Sequence, residues 1–581
     1  MIRASFSHHI GFQLAEYGEN RSCTFLAGKV EDEARTKKLT YAGLDRRARE
    51  LAEWMLRCEF RENPVLLLYP AGLEFLQAIV GCFYAGVIAV PAPLPAEQTS
   101  VRRLIGIMED AKSRCVLTTA AVANSLRSQL RELSENRGIR IVETDVQQLG
   151  CSKAWKMPEI DADTIALLQY TSGSSGDPKG VMVSHGNLLH NQSRIQELCA
   201  SHDEDVVAGW LPHFHDMGLI GVLLHPLYIG SNCVFLSPTS FMMHRARWLE
   251  AISFYRATIT VAPDFAYDLC SRTVSEARLE KLDLSTLRVA LNGAEPIRHR
   301  TLERFTATFA NAGFRQDVFS PCYGMAETTL LASGTPAGSS PVFCSVDSRA
   351  LEQNVVRFSS DDGALRLVSS GRFERIDLQV VDPVERRIQS DGWVGEIWLR
   401  GGSVAQGYWG KPSATELVFR AVTIDGDGPF LRTGDLGFTL DGELYVTGRL
   451  KDLLIINGRN LYPQDIESAI RDLHPSLQSC PGVAFSIMSD RERVVVVQEV
   501  KGALLRDISL PELVVRIKDT LLRSFGVPSP LVLLTRRGTV KHTTSGKVQR
   551  QLMRALFLDG SIETAPEYLQ HDAIVSEAVQ L

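Results

Sequence analysis

Tyr170–Gly180, YTSGSSGDPKG, places three glycines, three serines, a threonine and a lysine in eleven consecutive positions. Small residues let backbone N–H groups approach an anion closely and an ammonium supplies countercharge, so this composition suits a phosphate cradle. The spacing is not that of a Walker loop, G-x-x-x-x-G-K-[ST]. Gly173, Gly176 and Lys179 are set differently, and Pro178 stands directly before the lysine. Taken alone, such a stretch is more often a Gly/Ser surface turn. Other chemistry-bearing residues therefore decide its meaning: Glu327 in YGMAETT, Asp435 in TGD, Arg449 and Lys451 in GRLKD, Arg459 in NGRN, Lys547 in TSGKVQR and His215 in WLPHFHDMGLIG.

The elements that must hold these residues are legible in the apolar runs. PVLLLYP, GLEFLQAIVGCFYAG and VIAVPAP read as buried strand, apolar helix and buried strand, a βαβ unit of a parallel sheet. TIALLQY runs straight into the glycine-rich stretch, and VMVSH follows it with a helical segment after Asn187. NCVFLSP, ATITVAP and LRVALNGAEP end in turn residues, as strands feeding site loops do. Beyond about Asp377 the texture changes to alternating strands and Gly-rich turns, and after GRLKD to a small α+β pattern. The fold class is α/β: a large N-terminal domain over 1–450, with parallel α/β subdomains and a β-rich one, and a small α+β domain over 451–581.

The 581 residues exceed one core, and 45% apolar with 22% charged residues is ordinary for a globular chain. A net charge of −6 gives no global attraction to nucleic acid. One local basic run exists: Thr520 to Leu558 holds no acidic residue but includes Arg523, Arg536, Arg537, Lys541, Lys547, Arg550 and Arg554. Eleven scattered cysteines without a C-x-x-C pair fit a reducing, cytoplasmic setting. The first residues carry charges and histidines where a secretion signal needs an apolar region. Pro91, Pro93 and Pro95 break the uncharged stretch Ala78–Ala96, so no transmembrane segment is expected.

Together and in this order, YTSGSSGDPKG, WLPHFHDMGLIG, NGAEP, YGMAETT, LRTGDLG, GRLKDLLIINGRNLYPQDIE and TSGKVQR resemble the adenylate-forming superfamily of acyl-CoA ligases, peptide-synthetase adenylation domains and luciferases. The resemblance covers nearly the whole chain, and WLPHFHDMGLIG, APDFAYDLC, LNGAEPIR and YGMAETTL look like fatty acyl-AMP ligases. It implies ATP and Mg2+ as cofactors, a fatty acid as substrate and an acyl carrier protein as acceptor. Thr171, Ser172, Gly173, Ser174 and Lys179 would grip the β- and γ-phosphates. Glu327 would bind magnesium. Asn292, Gly293 and Ala294 would line the adenine, with Tyr323 stacking on it beside Gly324, and Asp435 would accept from the ribose hydroxyls with help from Arg449. Arg459 would approach phosphate, and Lys547 would bridge the α-phosphate and the attacking carboxylate. Lys451 falls at the hinge position, and His215 would gate the carboxylate. Where the superfamily carries a threonine before the magnesium glutamate, this chain has Ala326, which leaves Thr328 as the candidate hydroxyl.

An acyl-CoA ligase and an amino-acid-activating enzyme remain open, the latter because Asp216 falls near the position where amino-acid activators bind the substrate amine. The interval 331–374 looks longer than its counterpart in CoA ligases. Its apolar Ala350, Leu351, Val355, Val356 and Phe358 suit a segment that docks and is not a free loop, and the resemblance to fatty acyl-AMP ligases implies an inserted segment here that packs on the large domain and restrains the small one.

Overall fold

The computed structural model describes residues 5–95, 98–128, 138–146, 155–171, 178–361, 364–456, 459–478, 480–488, 492–505, 507–542 and 548–562, and all counts below refer to these. PVLLLYP forms strand Pro64–Leu68, the next element is helix Leu73–Ala85, and VIAVP forms strand Ile88–Pro91, parallel to the first with Val65 beside Ala89. The helix is buried on nearly every face because it lies between the sheet and helix Tyr41–Arg57. Gly81 permits that approach: a Cβ there would stand 2.9 Å from the Leu51 Cβ and 3.3 Å from the Ala48 carbonyl oxygen. A helix enclosed on all sides needs no polar stripe, which is why its sequence reads as one apolar run.

Among the described residues this unit belongs to a six-stranded sheet, five strands of which are parallel. The sixth, Lys179–Ser184, folds back antiparallel on Ile165–Thr171 with Thr171 opposite Lys179. Positions 172–177 connect this hairpin and lie outside the described residues.

A second sheet has eight described strands. Its six inner strands, Ser22–Leu26, Asn232–Leu236, Val206–Gly209, Ile259–Pro263, Val289–Gly293 and Phe319–Gly324, run parallel, with antiparallel strands Thr36–Thr40 and Leu331–Gly334 at the edges. Open sheets of this kind leave a crevice at the carboxyl ends of their strands. Strands Asp377–Val381, Gly395–Arg400, Leu431–Leu440 and Glu443–Arg449 then form an antiparallel meander.

The C-terminal part builds a three-stranded sheet from Gly482–Met488, Glu492–Glu499 and Leu531–Thr535, accompanied by helices Pro463–Arg471, Leu510–Phe525 and Arg550–Leu558. Ile466, Ile470, Ile517 and Leu521 form a core here that is separate from those of the large domain. Among the described residues no helix is long and apolar enough to cross a membrane.

Within 331–374, strands Phe343–Val346 and Leu365–Val368 pair antiparallel around the helical turn Ser348–Leu351. Val346 and Leu351 are buried against Leu436, Phe438 and Tyr445 of the meander and Tyr462 of the C-terminal part. The segment thus packs on the meander and touches Tyr462 beyond it. Its apolar residues do not all share in this: Ala350 and Leu351 are buried, whereas Phe358 stays 68% exposed.

Candidate functional site

Strand Phe319–Gly324 ends in a tight reversal that presents Glu327. A Cβ on Gly324 would lie 1.7 Å from the Leu330 carbonyl oxygen, so no side chain fits where the chain doubles back. The Thr328 hydroxyl holds the turn from inside, donating to the Met325 carbonyl (3.0 Å) and accepting from the Met325 N–H (3.3 Å). Thr329, at φ +66°, closes it and donates to the Ser403 carbonyl (2.8 Å). Thr328 is therefore occupied within the turn and is not among the residues that line the cavity below.

Glu327 is only 8% exposed, and its Oε1 accepts from the Tyr408 hydroxyl at 2.8 Å. The Lys179 ammonium lies over the Tyr408 ring, 5.2 Å from its centroid. Burial pushes the Glu327 carboxyl above its usual range and the nearby Asp216 charge adds to this, while the Tyr408 hydrogen bond and Arg449 oppose it. Tyr408 was not singled out from the sequence.

Across the cavity, the hairpin Leu431–Leu440/Glu443–Arg449 sets Asp435 opposite Arg449. The Arg449 Nε donates to Asp435 Oδ1 at 3.0 Å, and the Tyr323 hydroxyl donates to Oδ2 at 2.8 Å. Burial, then the Asp435 charge, pushes the Tyr323 hydroxyl up, so it remains a donor. Beneath this pair the buried Glu396 accepts from Arg432 Nη2 (2.7 Å), from the Gly434 N–H (3.1 Å) and from the Trp398 indole (2.9 Å). Glu396 thereby fixes the turn that carries Asp435, another role that local spacing did not reveal.

Strand Val289–Gly293 alternates its faces. Leu291 and Ala294 line the cavity, whereas the Asn292 side chain turns inward and donates to Asp264 Oδ1 at 3.1 Å. Gly293 must be glycine because a Cβ would stand 2.8 Å from the Cys322 carbonyl oxygen. Of the expected adenine wall, Ala294 and Tyr323 reach the cavity and the Asn292 side chain does not.

Asp264 also accepts from the Thr301 hydroxyl at 2.9 Å, and burial pushes its carboxyl up to about 7. Raising it from 3.8 to about 7 corresponds to about 4 kcal/mol. The folded state holds a proton that the unfolded state releases. This contribution is therefore fully present below about pH 4 and is lost as pH rises through 7. Asp465, likewise pushed up to about 7 by burial, adds to the slope. Asp264→Asn keeps the acceptor and cannot ionise, so its urea midpoint should fall less than that of the natural chain between about pH 5 and pH 8. Equal slopes would remove Asp264 from this account.

His215 Nδ1 lies 2.6 Å from Asp216 Oδ1, which also accepts from the Met217 N–H at 2.7 Å and so caps the π-helical segment Met217–Leu224. Such segments are rare and recur at functional sites. Lys451 lines the cavity two positions after Arg449. Arg459 does not line it: its guanidinium makes a forked pair with Glu352 at 2.6 and 2.9 Å. Thr171 ends its strand, while Ser172, Gly173, Ser174 and Lys547 lie outside the described residues.

Lys179, His215, Asp216, Tyr323, Glu327, Tyr408, Arg449 and Lys451 line one cavity of about 560 Å³. One part is apolar, walled by Ile195, Leu198, Val261, Leu291, Leu330 and Leu331; the other carries Lys179, Glu327, Tyr408, Arg449 and Lys451. An apolar chain ending at a cluster of cations and carboxylates is what such a space accommodates.

Fold and cavity together define an adenylate-forming class of protein. Residues 13–409 match the AMP-binding enzyme family, and the chain belongs to it. Residues 451–567 match a model described as Disco-interacting protein 2-like, AMP domain. The chain is 41% identical to JamA of Moorena producens (strain JHB), a medium-chain-fatty-acid–[acyl-carrier-protein] ligase, over 91% of this chain and 92% of that one. It is 34% identical to FadD32 of Mycolicibacterium smegmatis, a long-chain-fatty-acid–AMP ligase, over 94% and 93%. Among solved structures, a fatty acyl-adenylate ligase from L. pneumophila in complex with acyl adenylate and pyrophosphate matches at TM-score 0.74 and 36% identity, covering 96% of both chains.

Proposed function

We propose that the protein adenylates a fatty acid with ATP and passes the acyl group to the phosphopantetheine thiol of an acyl carrier protein. The observation that carries this is the single cavity joining an apolar limb to the Lys179–Tyr408–Glu327 and Asp435–Arg449 groups. The activities by which the two named relatives are known support it.

A fatty carboxylate oxygen attacks the α-phosphorus of ATP, the bond to the β-phosphate oxygen breaks, and pyrophosphate leaves with the electron pair. A carboxylate is already ionised at neutral pH, so positioning and fixed charge matter more than a general base. Lys179 and the loop before it hold the β- and γ-phosphates, Asp435 with Arg449 orients the ribose, and Lys547 meets charge on the α-phosphate. His215 stands where the carboxylate enters. In the second step the carrier thiolate attacks the acyl carbonyl carbon and AMP leaves. Lys451 marks the division between a large domain, 1–450, and a small domain, 451–581, that moves between the two steps.

Glu327 suits Mg2+, because that ion is held by one or two carboxylates together with waters and substrate phosphates. Among the described residues no three histidine, cysteine or acidic side chains converge, in keeping with a cation shared with ATP and not caged by protein. Bound there, magnesium would neutralise phosphate charge. Asp216 is engaged by His215 and the Met217 N–H, which favours a fatty acid over an amino acid bearing an ammonium. ATP–pyrophosphate exchange should depend on fatty acids and not on amino acids. Exchange supported by amino acids alone would overturn the reading.

The docked segment 331–374 bears on the acceptor. Glu352 holds Arg459, and Asn460 Nδ2 donates to Asn354 Oδ1 at 3.2 Å, so the small domain is tethered to it. Glu352→Ala should raise acyl-CoA formation about tenfold by freeing the domain, and deletion within 341–361 should raise it further. Full CoA ligation by the unaltered chain would contradict this subtype.

An acidic carrier protein would meet the basic run of the small domain. Arg550 is committed to Glu467 and Arg554 to the Ser486 carbonyl, whereas Arg536 and Arg537 are exposed. Reversing both exposed arginines to glutamate should slow acyl transfer several-fold at low salt and leave adenylate formation unchanged. Equal transfer rates would exclude docking there. A cytoplasmic location accords with the scattered cysteines, and no nucleic-acid partner is proposed.

A further inference from the structure

Arg103 lines the same cavity from a direction that none of the groups above explains. It belongs to helix Gln98–Ala111 and shares its face with Ile107, one turn on, which also lines the cavity. Pro91 and Pro93 line the same cavity. The Arg103 guanidinium is partly withdrawn from water, and burial lowers its pKa from the ordinary value. No hydrogen bond or ion pair reaches it among the described residues. The acid one turn beyond Ile107, Asp110, is already occupied by the Lys411 ammonium and by the Tyr170 hydroxyl at 2.8 Å. A half-buried cation without a counterion is costly unless a ligand brings the anion.

The location indicates which anion. Gly106, one turn after Arg103 on the same helix, packs on Pro178: a Cβ there would touch the proline ring at 3.5 Å. Pro178 stands next to Lys179, whose side chain also lines the cavity. Arg103, from the helix packed at Pro178, and Lys179, from the hairpin of the six-stranded sheet, thus line the cavity on one side, while Arg449, paired with Asp435, enters from the meander.

We infer that Arg103 is a pyrophosphate-binding residue, which with Lys179 receives the β- and γ-phosphates of ATP and holds the leaving pyrophosphate. The inference rests on the adenylation reading and adds a residue to it. Arginine presents a planar fork of donors to phosphate oxygens, and a chain bearing its charge at this end offers pyrophosphate a second cation beside the lysine.

The test is fatty-acid-dependent ATP–pyrophosphate exchange with pyrophosphate varied, using Arg103→Ala and Arg103→Lys. Loss of a charge-assisted contact should raise the KM for pyrophosphate roughly tenfold to a hundredfold in the alanine variant, with partial recovery in the lysine variant. Transfer of the acyl group from preformed acyl-adenylate to the carrier protein should be unchanged. An unaltered KM for pyrophosphate in Arg103→Ala overturns the inference while leaving adenylation standing. A defect confined to carrier transfer also overturns it, and assigns Arg103 to the phosphate of the phosphopantetheine arm. Absence of any exchange by the natural chain overturns the adenylation reading itself, and the inference with it. Thermal unfolding midpoints of both variants, compared with the natural chain, separate a lost contact from a lost fold.

Discussion

Lys547→Ala should lower the rate of acyl-adenylate formation by roughly 10² to 10³, the effect of removing one donor aimed at developing transition-state charge. ATP binding should change far less, because the lysine meets charge that grows on the α-phosphate only as the carboxylate attacks. Lys547 itself lies outside the described residues; of its described neighbours, His542 bridges Val548 and the Gln549 N–H donates to the Lys541 carbonyl at 2.9 Å. Single-turnover formation of adenylate, with ATP affinity measured separately by calorimetry, separates the two effects. A variant that forms adenylate at the natural rate would strip Lys547 of the role.

Glu327→Gln should raise the magnesium concentration needed for half-maximal adenylation at least tenfold, since an amide oxygen carries no charge for a hard dication. The structure adds a pH dependence. Burial holds the Glu327 carboxyl above its ordinary range, so it begins to take up a proton at a higher pH than an exposed glutamate would. Protonation removes the anionic ligand. The magnesium requirement of the natural enzyme should therefore rise as pH falls toward that raised value, and the glutamine variant should lose this dependence. Magnesium titrations at about pH 6 and pH 8 measure both. An unchanged requirement in Glu327→Gln would assign the cation to a different carboxylate, Asp216 being the other acid near it in the cavity.

Glu327 also illustrates how residues far apart come to act together. Its hydroxyl partner Tyr408 lies 81 positions along the chain, and the cation over that ring, Lys179, comes from the other sheet. Lys179, Glu327 and Asp435 stand in the short motifs that carry the family resemblance, whereas the Tyr408 and Glu396 contacts have no local signature. Arg459 is the opposite case. The family resemblance implies a phosphate for it, and in this structure Glu352, 107 positions earlier, supplies a fitted carboxylate to the guanidinium.

The βαβ unit at Pro64–Pro91, the parallel strands ending in turn residues, the meander from Asp377 and the C-terminal α+β pattern can all be read from the chain's residue order. These follow from apolar periodicity and turn chemistry, which are local and survive in one dimension. The tertiary structure alone decided which way each side chain faces and which partner claims it. Asn292 sits between two cavity-facing positions, and strand alternation turns it inward to Asp264; Thr328 is one residue from Glu327, yet the reversal that Gly324 permits folds its hydroxyl into the turn. The partner of a buried polar group is set by three-dimensional proximity, because in a low-dielectric interior an unpaired donor or acceptor costs more than almost any local preference can offset.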